Sequence, residues 1–269
     1  MSAFAAKVAA LTGVPEERLE RLAAESVSEV LLVRRDQGQV SVAKHSPAVA
    51  AEAAMLRALA AAEVPAPGVQ GELDQVLLLD FIENDGVFSA RAWSDVGAGV
   101  RRLHERRGES YGWPVDYPIG TVTLHNKETR DWPRFWGEQR LIGTASVLDR
   151  PWRERVERAA ERLGDLLPAD PPAALLHGDL WTGNILVREG RLVGFIDPAC
   201  YFGHAEVDLA MLDLFGSPPG EFREAYGEPE PGWRERRPAY QLFPALAHVR
   251  LWGPSWFNLV DRLLSELGA

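Results

Sequence analysis

The spacing of apolar and polar positions divides this chain into a first part of short strands and a second part of longer helical stripes. Met1 to Gly13 is Ala-rich with one lysine, Lys7, and reads as an amphipathic helix. Residues 15–24 predict a short helix with Pro15 near its start. Val27 to Arg35 and Gln39 to Lys44 read as two strands around the hairpin-type turn Asp36-Gln37-Gly38. Pro47 opens an Ala/Leu-rich helix that ends near Glu63, where Pro65 and Pro67 break it. Two more short strands follow, near Val69 and across Val76 to Leu79.

From Ser89 the period becomes helical. Trp93, Val96, Gly97, Val100, Leu103 and His104 fall on one face, with Ser89 or Ser94 as the cap. Trp152, Val156, Ala159, Leu163, Leu166 and Leu167 make a second stripe. Between them, Gly108 to Thr123 is rich in Gly, Pro and aromatic residues and reads as a loop. Ala173 to Ile196 breaks the helical pattern with short apolar runs and turns. Helices then resume to the C-terminus, interrupted at Ser217 to Gly220 and at Gly253-Pro254. The elements predict an α+β, two-lobed chain: a small sheet-based lobe over 1–83 and a larger, mainly helical lobe over 84–269.

Composition narrows the function classes. The 269 residues are 46% hydrophobic, enough for a sizeable core without disulfide staples. The net charge of -10 is opposite to that of a nucleic-acid backbone binder, so no nucleic-acid partner is expected. The one cysteine, Cys200, allows neither an intrachain disulfide nor a cysteine-cluster metal site, and reads as a packed residue. No apolar run reaches the ~18 residues that span a bilayer, and the N-terminus lacks the pattern of a signal peptide. The expectation is a cytoplasmic protein with no membrane partner, monomeric by default.

Candidate chemistry concentrates in Leu175-Leu176-His177-Gly178-Asp179-Leu180-Trp181-Thr182-Gly183-Asn184, followed by Ile196-Asp197-Pro198. Apolar runs at Ile185 to Val187 and Leu192 to Ile196 predict a tight hairpin between Asn184 and Asp197. Asp179 and Asn184 then sit on a loop, with Asp197 just past the second strand. A carboxylate can accept a proton from a hydroxyl. An amide oxygen and a second carboxylate suit Mg²⁺, which favours oxygen ligands. That order and spacing match the phosphoryl-transfer template. The template also needs a strand lysine for the phosphates of ATP and a helix glutamate to hold it. Lys44 closes the second predicted strand and Glu52 lies in the next helix; Glu63 is the weaker rival. His177 reads as shaping the loop, His104 as a satisfied core histidine, and Asp208 as bonding the catalytic-loop backbone.

The chain resembles the fructosamine kinase (ketosamine-3-kinase) family, which is similar in turn to aminoglycoside phosphotransferases and choline kinases. The stretches that carry this are Ile119-Gly120, Asn126, Trp132, Phe135 to Leu141, His177 to Asn184, Ile196 to Tyr201, Glu206 to Met211, Leu214-Phe215-Gly216 and Tyr240-Gln241-Leu242. The resemblance implies a protein-kinase-like fold and ATP-dependent phosphorylation of the 3-hydroxyl of ketosamines, fructosamine or ribulosamine adducts of lysine or protein, as a deglycating repair. It implies Asp179 as the catalytic base or hydroxyl-orienting group, Asn184 and Asp197 as Mg²⁺ ligands, and Lys44 on the ATP phosphates with Glu52 orienting it. Adenine is expected along the backbone of Leu79, Asp80, Phe81 and Ile82. Asn126 and Trp181 are the candidate sugar contacts; Trp132, Trp136, Trp252 and Trp256 are expected in the core.

The chain departs from the family in two places. Its candidate phosphate turn, Asp36-Gln37-Gly38, has a single glycine. After Gly203 it has His204-Ala205-Glu206 where the family usually has Asp-Arg-Glu, so one arginine of a local salt bridge is missing. A protein kinase is disfavoured, because His-Arg-Asp, Asp-Phe-Gly and Ala-Pro-Glu are absent. No Walker A run exists, and Gly97-Ala98-Gly99 lies in a helical stripe. The alternatives are an aminoglycoside- or choline-type phosphotransferase, or a nucleotide-binding pseudokinase.

Overall fold

The computed structural model describes residues 2–22 and 28–269. Helix α1 (Ala3–Thr12) starts where the Ser2 hydroxyl accepts from the Ala5 N–H and ends at Gly13 in a left-handed conformation. This is the N-terminal helix the sequence predicts. The expected helix over 15–24 does not form. Glu16–Arg18 makes one 3-10 turn and Leu19–Arg21 becomes strand β1. The last residues of that expected helix, and Val27 at the start of the expected next strand, lie outside the described residues. β1 pairs with β2 (Val30–Arg34), and the Arg34 and Glu20 side chains form an ion pair across them. Backbone pairing with a neighbouring strand outweighs the local helical spacing of Leu19 and Leu22.

Five strands form one antiparallel sheet in the order β1-β2-β3-β5-β4, where β3 is Val40–His45, β4 is Val69–Leu73 and β5 is Val76–Asp80. Successive side chains of a strand face opposite sides. Leu31, Val33, Ala43, Val76 and Leu78 pack under Phe4, Ala5 and Val8 of α1. Val42, Leu77 and Leu79 pack under Ala53 and Leu56 of α2 (Val49–Ala61). Lys44 is two residues from Val42 and therefore faces α2. Glu52 is one helical turn before Leu56, on the side of α2 turned to the sheet.

Past Asp80 the chain crosses to the helical part. Ile82 packs on Gly194, where any Cβ would come within 2.8 Å of its Cδ1. The Asp85 N–H donates to the Val187 carbonyl at 2.9 Å, and the Asp85 carboxylate accepts from the Glu189 N–H. Helix α3 (Ala90–Glu105), capped by Ser89, buries Val96, Gly97, Val100, Leu103 and His104 of the predicted stripe, with Trp93 half-buried. The expected loop over 108–123 contains a hairpin of β6 (Tyr117–Ile119) with β7 (Val122–Leu124). A helical run follows: α4 (Trp132–Arg134), a π-helical stretch Phe135–Ile142, and α5 (Gly143–Ala145). The second predicted stripe lies on α6 (Arg150–Glu161) and α7 (Leu163–Leu166), with Val156, Ala159 and Leu163 buried.

The remaining strands are β8 (Ala174–Leu176), β9 (Ile185–Arg188), β10 (Arg191–Phe195) and β11 (Tyr201–Gly203). The remaining helices are α8 (Glu206–Phe215), α9 (Gly220–Tyr226), α10 (Trp233–Trp252) and α11 (Phe257–Glu266). Trp132 and Trp136 sit fully buried in the large core, as expected, bonded to the Tyr240 hydroxyl and the Ala239 carbonyl. Trp256 packs partly buried against the same core, whereas Trp252 is 52% exposed and is not a core residue. No helix among the described residues is long and apolar enough to cross a membrane.

Candidate active site

Two short strand pairings bring the three polar groups of the sequence motif together. β8 pairs antiparallel with β11, matching Leu176 to Tyr201, so His177 and Cys200 leave the pair side by side. β9 pairs with β10, matching Ile185 to Phe195, so Asn184 and Ile196 adjoin. Asp197 is held from both directions. The Ile196 N–H donates to the Asn184 carbonyl at 3.0 Å, and the Ala199 N–H donates to the His177 carbonyl at 2.8 Å. The Asn184 side chain donates from Nδ2 to the Asp179 carbonyl and to Asp179 Oδ2, both at 2.9 Å. That orientation turns its Oδ1 away from Asp179. Asp197 has φ 55°, a left-handed backbone that a non-glycine residue holds only under local constraint.

The floor of this loop is Asp208 on α8. Its Oδ2 accepts from the His177 N–H at 2.7 Å and its Oδ1 from the Gly178 N–H at 3.0 Å. His104 of α3 adds a bond from Nε2 to Oδ2 at 3.0 Å, and the Tyr226 hydroxyl lies 2.9 Å from its Nδ1. These are the loop-bonding and core roles read for Asp208 and His104. Burial alone would raise the Asp208 carboxyl, but the bonds it accepts from His104 and from the Gly178 N–H hold it below its ordinary value. Burial pushes His177 below its ordinary value, so it is neutral. Its Nε2 then donates to the Ile196 carbonyl at 3.1 Å, while Nδ1 accepts from the Asp179 N–H at 3.3 Å. Gly178 has φ +82°, and a Cβ there would lie 2.0 Å from the Ala199 carbonyl oxygen. Asp208→Asn puts an NH₂ group where buried N–H donors need an acceptor. It is expected to cost about 2 kcal/mol or more, read as a fall of the melting temperature by about 4 °C or more in a thermal scan.

Across the cleft, Lys44 Nζ lies 2.6 Å from Glu52 Oε1 and 2.8 Å from Asp197 Oδ1. Both Lys44 and Glu52 are buried. Burial would lower the Lys44 ammonium, but the Asp197 and Glu52 carboxylates outweigh it and hold it above its ordinary value, so it stays charged. Glu63, the rival, lies two residues past the end of α2 and is exposed, and its carbonyl accepts from Arg102. Burial pushes the Asp179 carboxyl up to about 6, against the Asn184 bond that lowers it. A carboxylate with an affinity for protons near neutrality is suited to receive one from a hydroxyl.

A small cavity of about 50 Å³ opens beside Asp179 and Gly178. Its walls are Ile119 and Val122 of the β6–β7 hairpin, Val207 and Met211 of α8, and Phe243, His248 and Leu251 of α10, among others. Asp179 is the one acidic residue in the lining. His248 donates from Nδ1 to the Pro244 carbonyl, and its ring meets Phe215 and Trp256 at 4.8 and 4.3 Å. Trp181 is 39% exposed and meets Phe215 edge-on at 6.4 Å, which puts it on the aromatic rim leading to that cavity. The Trp181 ring lies so close over Gly183 that a Cβ there would fall 2.3 Å from it.

Asn126 is not brought to the cavity. It is buried, its Nδ2 donates to the Val115 carbonyl, and its Oδ1 accepts from Arg140 at 2.8 Å. Arg140, a buried cation in the π-helical stretch, lies over the Tyr201 ring at 4.1 Å and pins the Asn126 loop. The turn Asp36–Gly38 forms between the two strands expected to flank it, but β1 precedes them. Asp36–Gly38 joins the second and third strands, and the connection between the first two, residues 22–29, is only partly described. Glu206 does have its salt bridge: Arg236 of α10 donates to both its oxygens, at 2.7 and 2.5 Å, from a helix remote in sequence. Cys200 is buried, which raises its thiol well above the ordinary value and keeps it protonated.

A lysine–glutamate pair facing a loop with Asp179, Asn184 and Asp197 is the arrangement of a phosphotransferase. The fructosamine kinase family model matches residues 5–268, nearly the whole chain. The chain belongs to the fructosamine kinase family. It is 34% identical over 215 residues to a protein of Enterococcus faecium named a probable ketoamine kinase, covering 76% of each chain. It is 31% identical over 224 residues to a chloroplastic protein-ribulosamine 3-kinase of Oryza sativa, covering 77% of this chain and 65% of that one. A Thermobifida fusca crystal structure assigned as a fructosamine-3-kinase superposes with a TM-score of 0.86 at 30% identity, over 98% of both chains. Within this family the α+β, two-lobed kinase-like fold accounts for the sheet over α2 and the helical part below it.

Proposed function

We propose that this fructosamine kinase family member transfers the γ-phosphoryl of ATP to the 3-hydroxyl of a ketosamine, a fructosamine or ribulosamine adduct of lysine or protein. The observation that carries the reading is Asp179, held by Asn184, at the wall of a cavity one charge-pair away from Lys44. Asp179 accepts or orients the acceptor hydroxyl. Lys44, kept charged and held by Glu52, binds the phosphates. Leu79, Asp80, Phe81 and Ile82, which leave β5 towards the helical part, carry the adenine on their backbone. The Trp181 rim takes the face of the sugar.

Mg²⁺ fits the residues present. Asn184 has its Oδ1 turned away from Asp179, and Asp197 offers a carboxylate, so both are hard oxygen donors. Bound there, the ion would neutralise charge on the transferring phosphate. Everything else is positioning by the chain's own groups, with little covalent chemistry for the protein. A lining whose one acidic residue is Asp179 offers no carboxylate cluster for the polycationic acceptors of the aminoglycoside class. A phosphate at the 3-position would make the adduct unstable, which gives the activity its deglycating sense.

The experiment is Mg²⁺-dependent ATP consumption with ribulosyl-lysine, fructosyl-lysine, an aminoglycoside and choline side by side. Turnover with a ketosamine alone is the expected result. Turnover with an aminoglycoside or choline, or ATP binding without turnover of any acceptor, would overturn the reading.

A further inference from the structure

The cavity beside Asp179 is too small for a whole sugar, and its wall is almost entirely apolar. At about 50 Å³ it seats a few heavy atoms, since one water needs about 10–15 Å³. Sites that enclose a whole small molecule run to about 300 Å³ or more. Ile119 and Val122 of the β6–β7 hairpin, Val207 and Met211 of α8, and Phe243 and Leu251 of α10 supply the apolar surface. Besides Asp179, the polar side chains in the lining are Tyr240 and His248. The Tyr240 hydroxyl is already engaged, 3.0 Å from Trp132 Nε1 and 2.7 Å from His204 Nδ1. His248 donates from Nδ1 to the Pro244 carbonyl at 2.8 Å, which leaves Nε2 as an acceptor.

We propose that this cavity seats the terminal carbons of the acceptor's sugar, and that its wall selects a tail without a terminal hydroxyl, so that ketosamines of deoxy sugars are the preferred class. The proposal rests on the kinase reading above. Asp179 marks the reacting hydroxyl at the cavity wall. From that carbon a ketosamine runs two ways. One way leads through the secondary amine, a cation, to lysine or protein. An ammonium among apolar walls is costly, and neither lysine nor protein ends within a few atoms. The other way leads to the last carbons of the sugar, which are uncharged and end in the space available. A methyl group there gains contact with Met211, Val207 and Leu251. A hydroxyl there gives up its water for a wall with little to bond it.

The measurement is kcat/KM for 6-deoxyfructosyl-lysine and for fructosyl-lysine in the wild type, Met211→Gln and Val207→Thr, alongside a thermal scan. Each substitution nearly keeps the shape of the side chain and adds a polar group to the wall. The wild type should favour the deoxy adduct about tenfold or more, within the range that one hydroxyl commands in an apolar pocket. In the variants that ratio should fall to about threefold or less, because the added group can bond the hydroxyl. The two sugars differ in their ring forms, but those populations are the same for all three proteins, so the change in ratio reads the wall. If one variant melts early, the other decides. A wild type that treats the two adducts alike or prefers fructosyl-lysine overturns the proposal, and that is the order expected if His248 Nε2 bonds the terminal hydroxyl. A folded variant that keeps the wild-type ratio overturns it too, as does turnover of ribulosyl-lysine without turnover of 6-deoxyfructosyl-lysine. Turnover of none of the three ketosamines overturns the kinase reading itself.

Discussion

Asp179→Asn should reduce kcat by about 10²–10⁴-fold, the usual contribution of a positioned acid–base group, while ATP binding stays nearly intact. Asparagine keeps the shape and can still accept from Asn184 Nδ2, but it cannot take a proton from the acceptor hydroxyl. Folding should not suffer. Burial raises the Asp179 carboxyl to about 6, so the folded state binds this proton more tightly than the unfolded chain does. The stability tied to that proton is present below the unfolded value of 3.8 and is lost as pH rises through about 6. A neutral Asn removes that penalty at neutral pH, so the variant should melt no lower than the wild type. Activity runs the other way. The base must be ionised, so kcat/KM of the wild type should fall as pH drops through about 6. A variant that retains more than about a tenth of wild-type kcat would remove Asp179 from the proton-accepting role, since the smallest such effects are about 10²-fold.

Asp197→Asn should abolish the part of ATP affinity that depends on Mg²⁺. Asp197 is the carboxylate of the proposed metal pair, and it also takes a bond from Lys44 at 2.8 Å. Removing its charge weakens a hard-cation site that has only one other protein ligand, the neutral amide of Asn184. The same change takes from Lys44 one of the two carboxylates that keep its ammonium charged in a buried place. Titration calorimetry with ATP separates the two effects. With Mg²⁺ present, affinity should drop to the level seen in a chelator, and that lower level should itself change little because Glu52 still holds Lys44. Equal tightening by Mg²⁺ in variant and wild type would show that the metal ligands lie elsewhere.

The catalytic strip was legible because its residues lie close in sequence and its turns are local. Ile185 to Val187 and Leu192 to Phe195 form the expected hairpin, and its registers alone place Asn184 beside Asp197. Lys44 and Glu52 were legible because strand and helix periods put both on facing surfaces. What sequence did not give depends on partners remote along the chain. Leu19–Arg21 pairs as a strand rather than a helix, which makes the predicted hairpin the second and third strands of the sheet. Asn126 has the right chemistry for a sugar, yet a buried Arg140 engages it. Glu206 finds Arg236 on a distant helix instead of a neighbouring arginine. Pro118 and Gly120 read as loop breakers and hid a hairpin whose Ile119 and Val122 line the cavity beside Asp179. Trp252 has the size of a core residue but lies half in solvent at the end of α10.

Gly178 and Gly183 flank Asp179 in sequence, and the space at each is already filled, by the Ala199 carbonyl and by the Trp181 ring. Drift in this stretch is therefore limited by volume as strictly as by reactivity. In a saturation scan scored for activity alone, these two glycines would look as intolerant as Asp179. Scored for cellular abundance they would part company: Gly178 variants would be depleted with their fold, Gly183 variants would lose a stacked indole but keep their core, and Asp179 variants would accumulate as full-length, inactive protein. The loop carries three kinds of intolerance, and only one of them belongs to the reaction.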